Sequence, residues 1–221
     1  MRRLLWTLVA LAGCTGPVAQ LDAFKKAEAA GATGALADAV LDADCDGRPG
    51  QSAACPQLQA SKARACLVRA RSSAVTGRAC PPSATRRDLQ CAADFYAAAT
   101  SGGYVPPNRA AYAGNHGRAL YCLSNLTDGP QGIALAQQAR SVLAAGGPSP
   151  EIDILAASSA LHLARSSAAT PTDRCQAARD ATEIAVRGLA AGPAPELAEA
   201  LGSVRYNAGL AAQALPNCGG Q

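Results

Sequence analysis

The chain has 221 residues, 49% of them hydrophobic, 16% charged and only 4% aromatic, with a formal net charge of +4. This length allows one domain with a buried core or a small array of repeats. The nearly balanced charge argues against a nucleic-acid-binding protein, in which a strongly basic patch is typical.

The first 13 residues predict a secretory signal peptide. Arg2 and Arg3 precede an apolar run from Leu4 to Leu11, and small residues follow it, which is the layout of an export leader. The apolar run is too short to cross a bilayer, which takes about 20 residues. Loss of the leader would remove Trp6, the only tryptophan, and both arginines, so that the formal charge would fall from +4 to +2.

The end of this leader, Leu11-Ala12-Gly13-Cys14, resembles the bacterial lipobox, whose cysteine is lipidated before the signal is cut. The resemblance implies covalent acyl chains on Cys14, no other cofactor, and a short tether over 14–20. Each buried methylene of the acyl chains contributes about 0.8 kcal/mol, so two or three chains would anchor the protein permanently. Thr15 follows the cysteine in place of Asp, which in the enterobacterial sorting pattern implies the outer membrane and its periplasmic face.

The residues from 21 to 218 predict an all-α domain, because they are rich in the strong helix formers Ala, Leu, Arg and Gln. No stretch shows sustained strand alternation. Ser149-Pro150 and Thr170-Pro171 each offer a capping side chain and a proline suited to the first helical position. We expect helices over 21–43, 57–72, 85–99, 108–126, 131–145, 150–167, 172–190 and 195–214.

Eight cysteines remain besides Cys14, an even number that predicts four disulfides in an exported protein. Facing residues of an antiparallel helix hairpin lie equally far from its turn. This rule predicts the pairs Cys45–Cys55, Cys66–Cys91, Cys80–Cys122 and Cys175–Cys218. The spacing of the middle four cysteines also allows Cys66–Cys80 with Cys91–Cys122, and the sequence leaves that choice open.

The acidic run Asp42-Ala43-Asp44-Cys45-Asp46-Gly47 matches the first half of an EF-hand calcium loop. Its twelfth position is Ala53, where such a loop needs a bidentate glutamate. A helix end followed by an acidic turn explains the run equally well. Calcium binding therefore stays an open alternative, and no metal site is predicted.

The segment 48–87 holds eight basic residues and no acid. Arg64, Arg69 and Arg71 are candidate contacts for anionic headgroups or an acidic partner, in a salt-dependent manner. The alternative is a solvated helix surface.

Five aromatic residues cluster between Phe95 and Tyr121. We expect them to fill a central helix junction. If some line a concave face instead, Tyr96, Tyr104 and Tyr112 would be its natural binding residues.

The sequence offers little for catalysis. His116 and His162 are the only histidines, and neither has a ligand-like spacing to Asp, Glu or Cys. No nucleophile elbow, phosphate-binding loop or dinucleotide fingerprint is present. We therefore expect a protein that is not an enzyme.

An internal repeat marks the second half of the chain. Residues 143–152 match 189–197, and Pro150 and Pro195 are separated by 45 positions, as are Pro171 and Pro216. With Ala181, Gly188, Pro193 and Ala208-Gly209, this region resembles the tetratricopeptide and Sel1-like repeats. Its period exceeds the 34 residues of the tetratricopeptide repeat, and alanine replaces most of the large aromatic anchors of these families.

The resemblance implies an α-solenoid of antiparallel helix pairs, here stapled by disulfides. Such folds present a concave surface to partners. The predicted function is a membrane-anchored interaction scaffold that binds an envelope protein or peptide. The alternative is a module that binds an anionic ligand or the cell wall through the segment 48–87.

Overall fold

The computed structural model describes residues 16–45, 51–72, 80, 85–216 and 218. These residues form nine α-helices and no β-strand, which confirms the all-α prediction. The helices are α1 Pro17–Ala29, α2 Thr33–Asp38, α3 Cys55–Ser72, α4 Arg86–Ser101, α5 Arg109–Ser124, α6 Gly129–Ala145, α7 Pro150–Arg165, α8 Pro171–Ala190 and α9 Pro195–Gln213.

The single helix expected over 21–43 is wrong, because Gly31 ends α1. Gly31 has a φ of +69°, a left-handed conformation that glycine adopts without steric cost. The Gly31 and Ala32 amides donate to the carbonyls of Glu28 and Ala27, both at 2.9 Å, which is the Schellman pattern of a helix end. The chain then restarts as the short helix α2.

Helix α1 also begins earlier than expected, at Pro17. Residues 17–20 of the expected tether are therefore helical. The signal was present in the sequence, since proline is favoured in the first turn of a helix and Pro17 occupies that position.

The chain divides after Pro106 into two compact units, so the one domain expected over 21–218 comprises both. In the first unit, α1, α2 and α4 all pack against α3. Helix α3 is the core of this unit, with five side chains that have no exposed surface: Cys55, Leu58, Ala63, Cys66 and Ala70.

The second unit contains α5 to α9. Each of these helices packs against the next, and α7 also packs against α5 and α9. Helices α7 and α8 are antiparallel, because Asp153 near the start of α7 bonds to Arg187 near the end of α8. The interior of the second unit is built from small side chains, which allow close helix approach. Five alanines are completely buried there: Ala157, Ala160, Ala181, Ala185 and Ala208.

The helix ends of this unit repeat. Pro150 and Pro195 are the first residues of α7 and α9. Ser149 Oγ accepts a bond from the Ile152 amide at 3.3 Å, and Thr170 Oγ1 accepts one from the Asp173 amide at 3.1 Å, so both expected caps are confirmed.

The turns that end the helices repeat as well. Three glycines with positive φ follow α4, α6 and α8 at intervals of 44 and 45 residues: Gly103, Gly147 and Gly192. Pro216 breaks the series, because it follows the end of α9 and starts no helix among the described residues.

The eight cysteines other than Cys14 are all disulfide-bonded. Cys45 is bonded to Cys55, Cys66 to Cys91, and Cys175 to Cys218. The Cys66–Cys91 bond excludes the alternative in which Cys66 pairs with Cys80. Cys80 and Cys122 are also disulfide-bonded.

Candidate interaction surface

Arg69, one of the expected anion contacts, is bonded to two carboxylates of the first unit. Its Nε and Nη2 donate to the two carboxylate oxygens of Asp88 at 3.1 and 2.6 Å, and its Nη1 donates to Asp38 at 2.6 Å. These bonds raise the pKa of Arg69, and the bond from Arg69 lowers the pKa of Asp38. Arg69 therefore links α2, α3 and α4, and its charge is neutralised internally.

Two other cations of the basic segment also have partners within the first unit. Lys62 Nζ donates to the Ala39 carbonyl and lies 4.6 Å from the ring centroid of Phe95, and its burial lowers its pKa. Arg64 pairs with Glu28 at 3.3 Å. Arg71 is exposed at the end of α3. Arg48 and Arg78 lie outside the described residues.

The candidate tyrosines do not form one surface within either unit. Tyr96 is only 2% exposed and lies in the core of the first unit, so it fills a helix junction and is not a surface contact. Tyr104 and Tyr112 are half-buried, and they belong to different units. Tyr121 packs beside Leu143 in the second unit.

The acidic run over 42–46 is partly described. The Asp44 amide donates to Asp42 Oδ1 at 3.0 Å, and the Asp42 amide donates to Gln20 Oε1 at 3.0 Å, while Asp46 lies outside the described residues. In the part of the chain that the structure describes, no group of three or more His, Cys, Asp or Glu residues could hold a metal ion.

Both histidines have a lowered pKa because they are buried. His116 is only 4% exposed in α5, and desolvation lowers its pKa to about 4. His162 is half-buried in α7, and desolvation lowers its pKa as well. Both rings therefore favour the neutral form in the folded chain.

Acidification should destabilise the second unit through His116. The folded-state pKa of His116 is about 4, whereas an unfolded histidine titrates near 6.5. Between these values the unfolded chain binds more protons, so the free energy of unfolding falls as the pH drops from 6.5 toward 4. At pH 5 the loss should be about 2 kcal/mol relative to pH 8. Denaturant unfolding at both pH values measures it.

The variant His116→Gln cannot titrate at this position and should lose most of that pH dependence. The matched variant His162→Gln should keep the larger part of it. An unchanged pH slope in His116→Gln would contradict the assignment.

The outer face of α9, which sequence reasoning missed, carries exposed apolar side chains. Tyr206 is 68% exposed and Leu210 is 45% exposed. The opposite side of the same helix is the packed one, because Leu201 and Ala208 have no exposed surface. Gly202, Tyr206, Gly209 and Leu210 follow one another at helical spacing and therefore share one face, the α9 outer face.

Within the part of the chain that the structure describes, two glycines of the α9 outer face have no packing reason. A Cβ added at Gly117 would lie 2.4 Å from Leu143 Cγ, and one at Gly188 would lie 3.0 Å from Leu201 Cδ1. At Gly202 and Gly209 an added Cβ meets nothing within 4 Å. Gly34 and Gly114 are equally open, but neither shares its helix with a second open glycine.

A glycine inside a helix costs about 1 kcal/mol relative to alanine. Two such glycines on one exposed face, beside an exposed tyrosine and leucine, leave room for another helix to approach the α9 backbone closely. The sequence contained this pattern of spacings, but it could not tell which side of α9 would be covered.

Comparisons with protein-family models, with curated proteins and with solved structures find no match for this chain. Among the described residues, no helix is both long enough and apolar enough to cross a membrane. Cys14, the expected lipid attachment site, lies outside the described residues.

Proposed function

We propose that this chain is a lipid-anchored helical-repeat protein of the bacterial cell envelope that serves as an interaction scaffold. Its second unit binds a helix of an envelope protein through the α9 outer face. The observation that carries this proposal is the pair of open glycines, Gly202 and Gly209, beside the exposed Tyr206 and Leu210. In this proposal the chain has no catalytic role.

The pattern of helix–helix contacts supports a solenoid arrangement of the second unit. In a stack of helix pairs, the first helix of each pair packs against its own partner and against the first helix of the next pair. The contacts of α7 with α5, α8 and α9 fit this pattern, with α5–α6 and α7–α8 as the pairs. The repeated turn glycines at Gly103, Gly147 and Gly192 support a period of 44 to 45 residues.

The lipid anchor is supported by the lipobox-like sequence that ends at Cys14. Only Thr15 and Gly16 separate Cys14 from Pro17, the first residue of α1. The proposed location is the outer membrane, facing the periplasm. The first unit would therefore lie at the membrane surface.

The partner we propose is an amphipathic helix, because the α9 outer face has the features of a helix-docking groove. Tyr206 and Leu210 supply the apolar contact area, and tyrosine is among the residues that dominate binding energies at interfaces. The two glycines lower the height of the α9 surface on either side of Tyr206. A ridge of apolar side chains on the partner fits these lowered positions.

The double variant Gly202→Ala/Gly209→Ala tests this docking mode. It should raise the free energy of unfolding of the second unit by about 1–2 kcal/mol, because alanine is the better helix former and an added Cβ meets no atom. It should also weaken partner binding by about tenfold or more, since a lost close contact of about 1.4 kcal/mol has that effect. Thermal unfolding and co-purification of the full-length protein from mild-detergent membranes measure the two effects.

The matched control is Gly114→Ala, another open glycine on a different helix. It should stabilise the chain and leave partner binding unchanged. Full partner binding by the double variant would contradict docking at the α9 outer face. Recovery of the protein without any partner would contradict the scaffold itself.

A further inference from the structure

The first helix has one covered side and one exposed side. Its covered side packs against α2 and α3 and buries three side chains: Leu21, Phe24 and Ala27. Its exposed side carries Val18, which is 65% exposed, followed at helical spacing by Asp22, Lys25 and Ala29, with Lys26 beside them. We call these five residues the α1 outer face.

Helix α1 is fixed to the first unit at both of its ends. Near its start, Gln20 Nε2 donates to the Val40 carbonyl at 2.8 Å, and Gln20 Oε1 accepts from the Asp42 amide at 3.0 Å. Near its end, Glu28 pairs with Arg64 of α3 at 3.3 Å. The helix therefore cannot swing independently, and its outer face is fixed as part of the surface of the unit.

The distance from the lipid attachment site to α1 is short. Only Thr15 and Gly16 lie between Cys14 and Pro17. Three extended residue steps span at most about 11 Å. The two headgroup layers together occupy the roughly 10–15 Å by which a bilayer exceeds its hydrocarbon core of about 30 Å, so each layer is about 5–8 Å thick. With acyl chains on Cys14, the first turn of α1 must therefore lie in or directly beside the headgroups.

We infer that the α1 outer face is a membrane-contact surface that lies flat against phospholipid headgroups. Val18 enters the interface, and Lys25 and Lys26 contact lipid phosphates. This inference rests on the proposed lipid attachment at Cys14. It extends that proposal by assigning a second, non-covalent contact that sets the orientation of the first unit on the membrane.

The chemistry of the face fits an anionic lipid surface. Lys25 and Lys26 are both exposed, and Asp22 is the one acid among the five residues, so the face carries a net positive charge. Long lysine side chains can extend toward phosphates while their methylene stems cover apolar surface. Attraction between lysines and anionic headgroups acts within about one Debye length, so added salt should weaken it.

The test places a tryptophan on the α1 outer face of the full-length protein. The only native tryptophan, Trp6, lies in the expected leader, so the new residue is the sole reporter in the processed protein. Val18→Trp and Ala29→Trp lie at opposite ends of the face. Val186→Trp, on the second unit at a position that is 46% exposed, is the control. Each protein is purified from membranes and reconstituted into phosphatidylethanolamine–phosphatidylglycerol vesicles that contain brominated lipid.

The inference predicts blue-shifted emission and about twofold or greater quenching by brominated lipid at positions 18 and 29, and neither effect at position 186. Adding Lys25→Gln and Lys26→Gln should reduce the quenching at position 29 and remove its dependence on salt. Quenching at position 18 alone would overturn the flat orientation. Equal quenching at position 186 would overturn the assignment to α1.

The mass of the amino-terminal peptide distinguishes failure of the lipid anchor from failure of the membrane-contact surface. An acylated Cys14 together with unquenched tryptophan at position 18 would overturn the membrane-contact surface and leave the lipid anchor standing. A Cys14 without acyl chains would overturn the anchor and, with it, the contact surface.

Discussion

Replacing Arg187 with methionine should lower the free energy of unfolding of the second unit by about 2–3 kcal/mol. Arg187 donates to both carboxylate oxygens of Asp153, from Nη2 at 2.5 Å and from Nε at 3.3 Å, and the bond raises the pKa of Arg187. The Asp153 side chain is only 2% exposed. Removing one partner of a buried pair leaves an uncompensated charge and costs about 3–5 kcal/mol. Arg187 is itself 53% exposed, so water offsets part of that cost.

A second change separates this charge effect from lost packing. Asp153→Asn combined with Arg187→Met should destabilise less than Arg187→Met alone, because no buried charge then remains. Arg205→Met, at an exposed position of α9, should change the free energy of unfolding by less than about 0.5 kcal/mol. Denaturant unfolding of the three variants measures these differences. Equal losses of unfolding free energy in the single and double variants would show that the unpaired charge of Asp153 does not cause the destabilisation.

Removal of the Cys66–Cys91 disulfide should destabilise the first unit by about 3.5 kcal/mol. The bond joins α3 to α4 and spans 25 residues, and a loop of that length gains about this much conformational entropy in the unfolded chain when the bond is lost. Cys66 has no exposed surface, so a shortened side chain also leaves a small cavity. Replacement of both cysteines by alanine and denaturant unfolding under non-reducing conditions measure the loss.

The Cys45–Cys55 bond provides the matched comparison within the same unit. It spans only 10 residues, so replacing this pair by alanine should cost less, about 2.7 kcal/mol on the same entropic reasoning. A larger loss from the shorter loop would mean that native-state contacts of these cysteines outweigh chain entropy.

Most helices could be predicted from the sequence because their ends are marked by local chemistry. Ser149 with Pro150 and Thr170 with Pro171 start α7 and α8 where the capping rules place them. The prediction of a single first helix over 21–43 was wrong because Gly31 was taken as an ordinary helical residue. A single glycine can lie inside a continuous helix or end it. Which of the two occurs depends on tertiary packing, here of α2 and α3 against α1.

Site residues were harder to predict, because their roles depend on what lies across from them. Arg69 reads as a surface cation in the sequence, yet Asp38 and Asp88 come from other helices and bind it. Tyr96 fills a helix junction, as expected for the aromatic cluster, and does not have the surface role that the alternative gave it. Tyr206 stands alone in the sequence, which does not show which side of α9 is packed. In the structure Leu201 is on the packed side and Tyr206 is exposed.

These placements reduce the number of cations that an anionic-ligand module could use. Arg69 is bonded to two carboxylates and Lys62 donates to a backbone carbonyl, whereas Arg64, although paired with Glu28, is 53% exposed, and Arg71 is exposed as well. The α9 outer face, in contrast, exposes apolar side chains above open glycines without a covering element among the described residues.

Site-specific photocrosslinking in intact membranes tests the scaffold most directly. A benzophenone amino acid replaces Tyr206 in the full-length protein, and the same amino acid at Gln138, an exposed position of α6, serves as the control. We predict one discrete adduct from position 206, containing a helical segment of an envelope protein, and no such adduct from position 138. No adduct at position 206, or the same set of adducts from both positions, would contradict the proposed function.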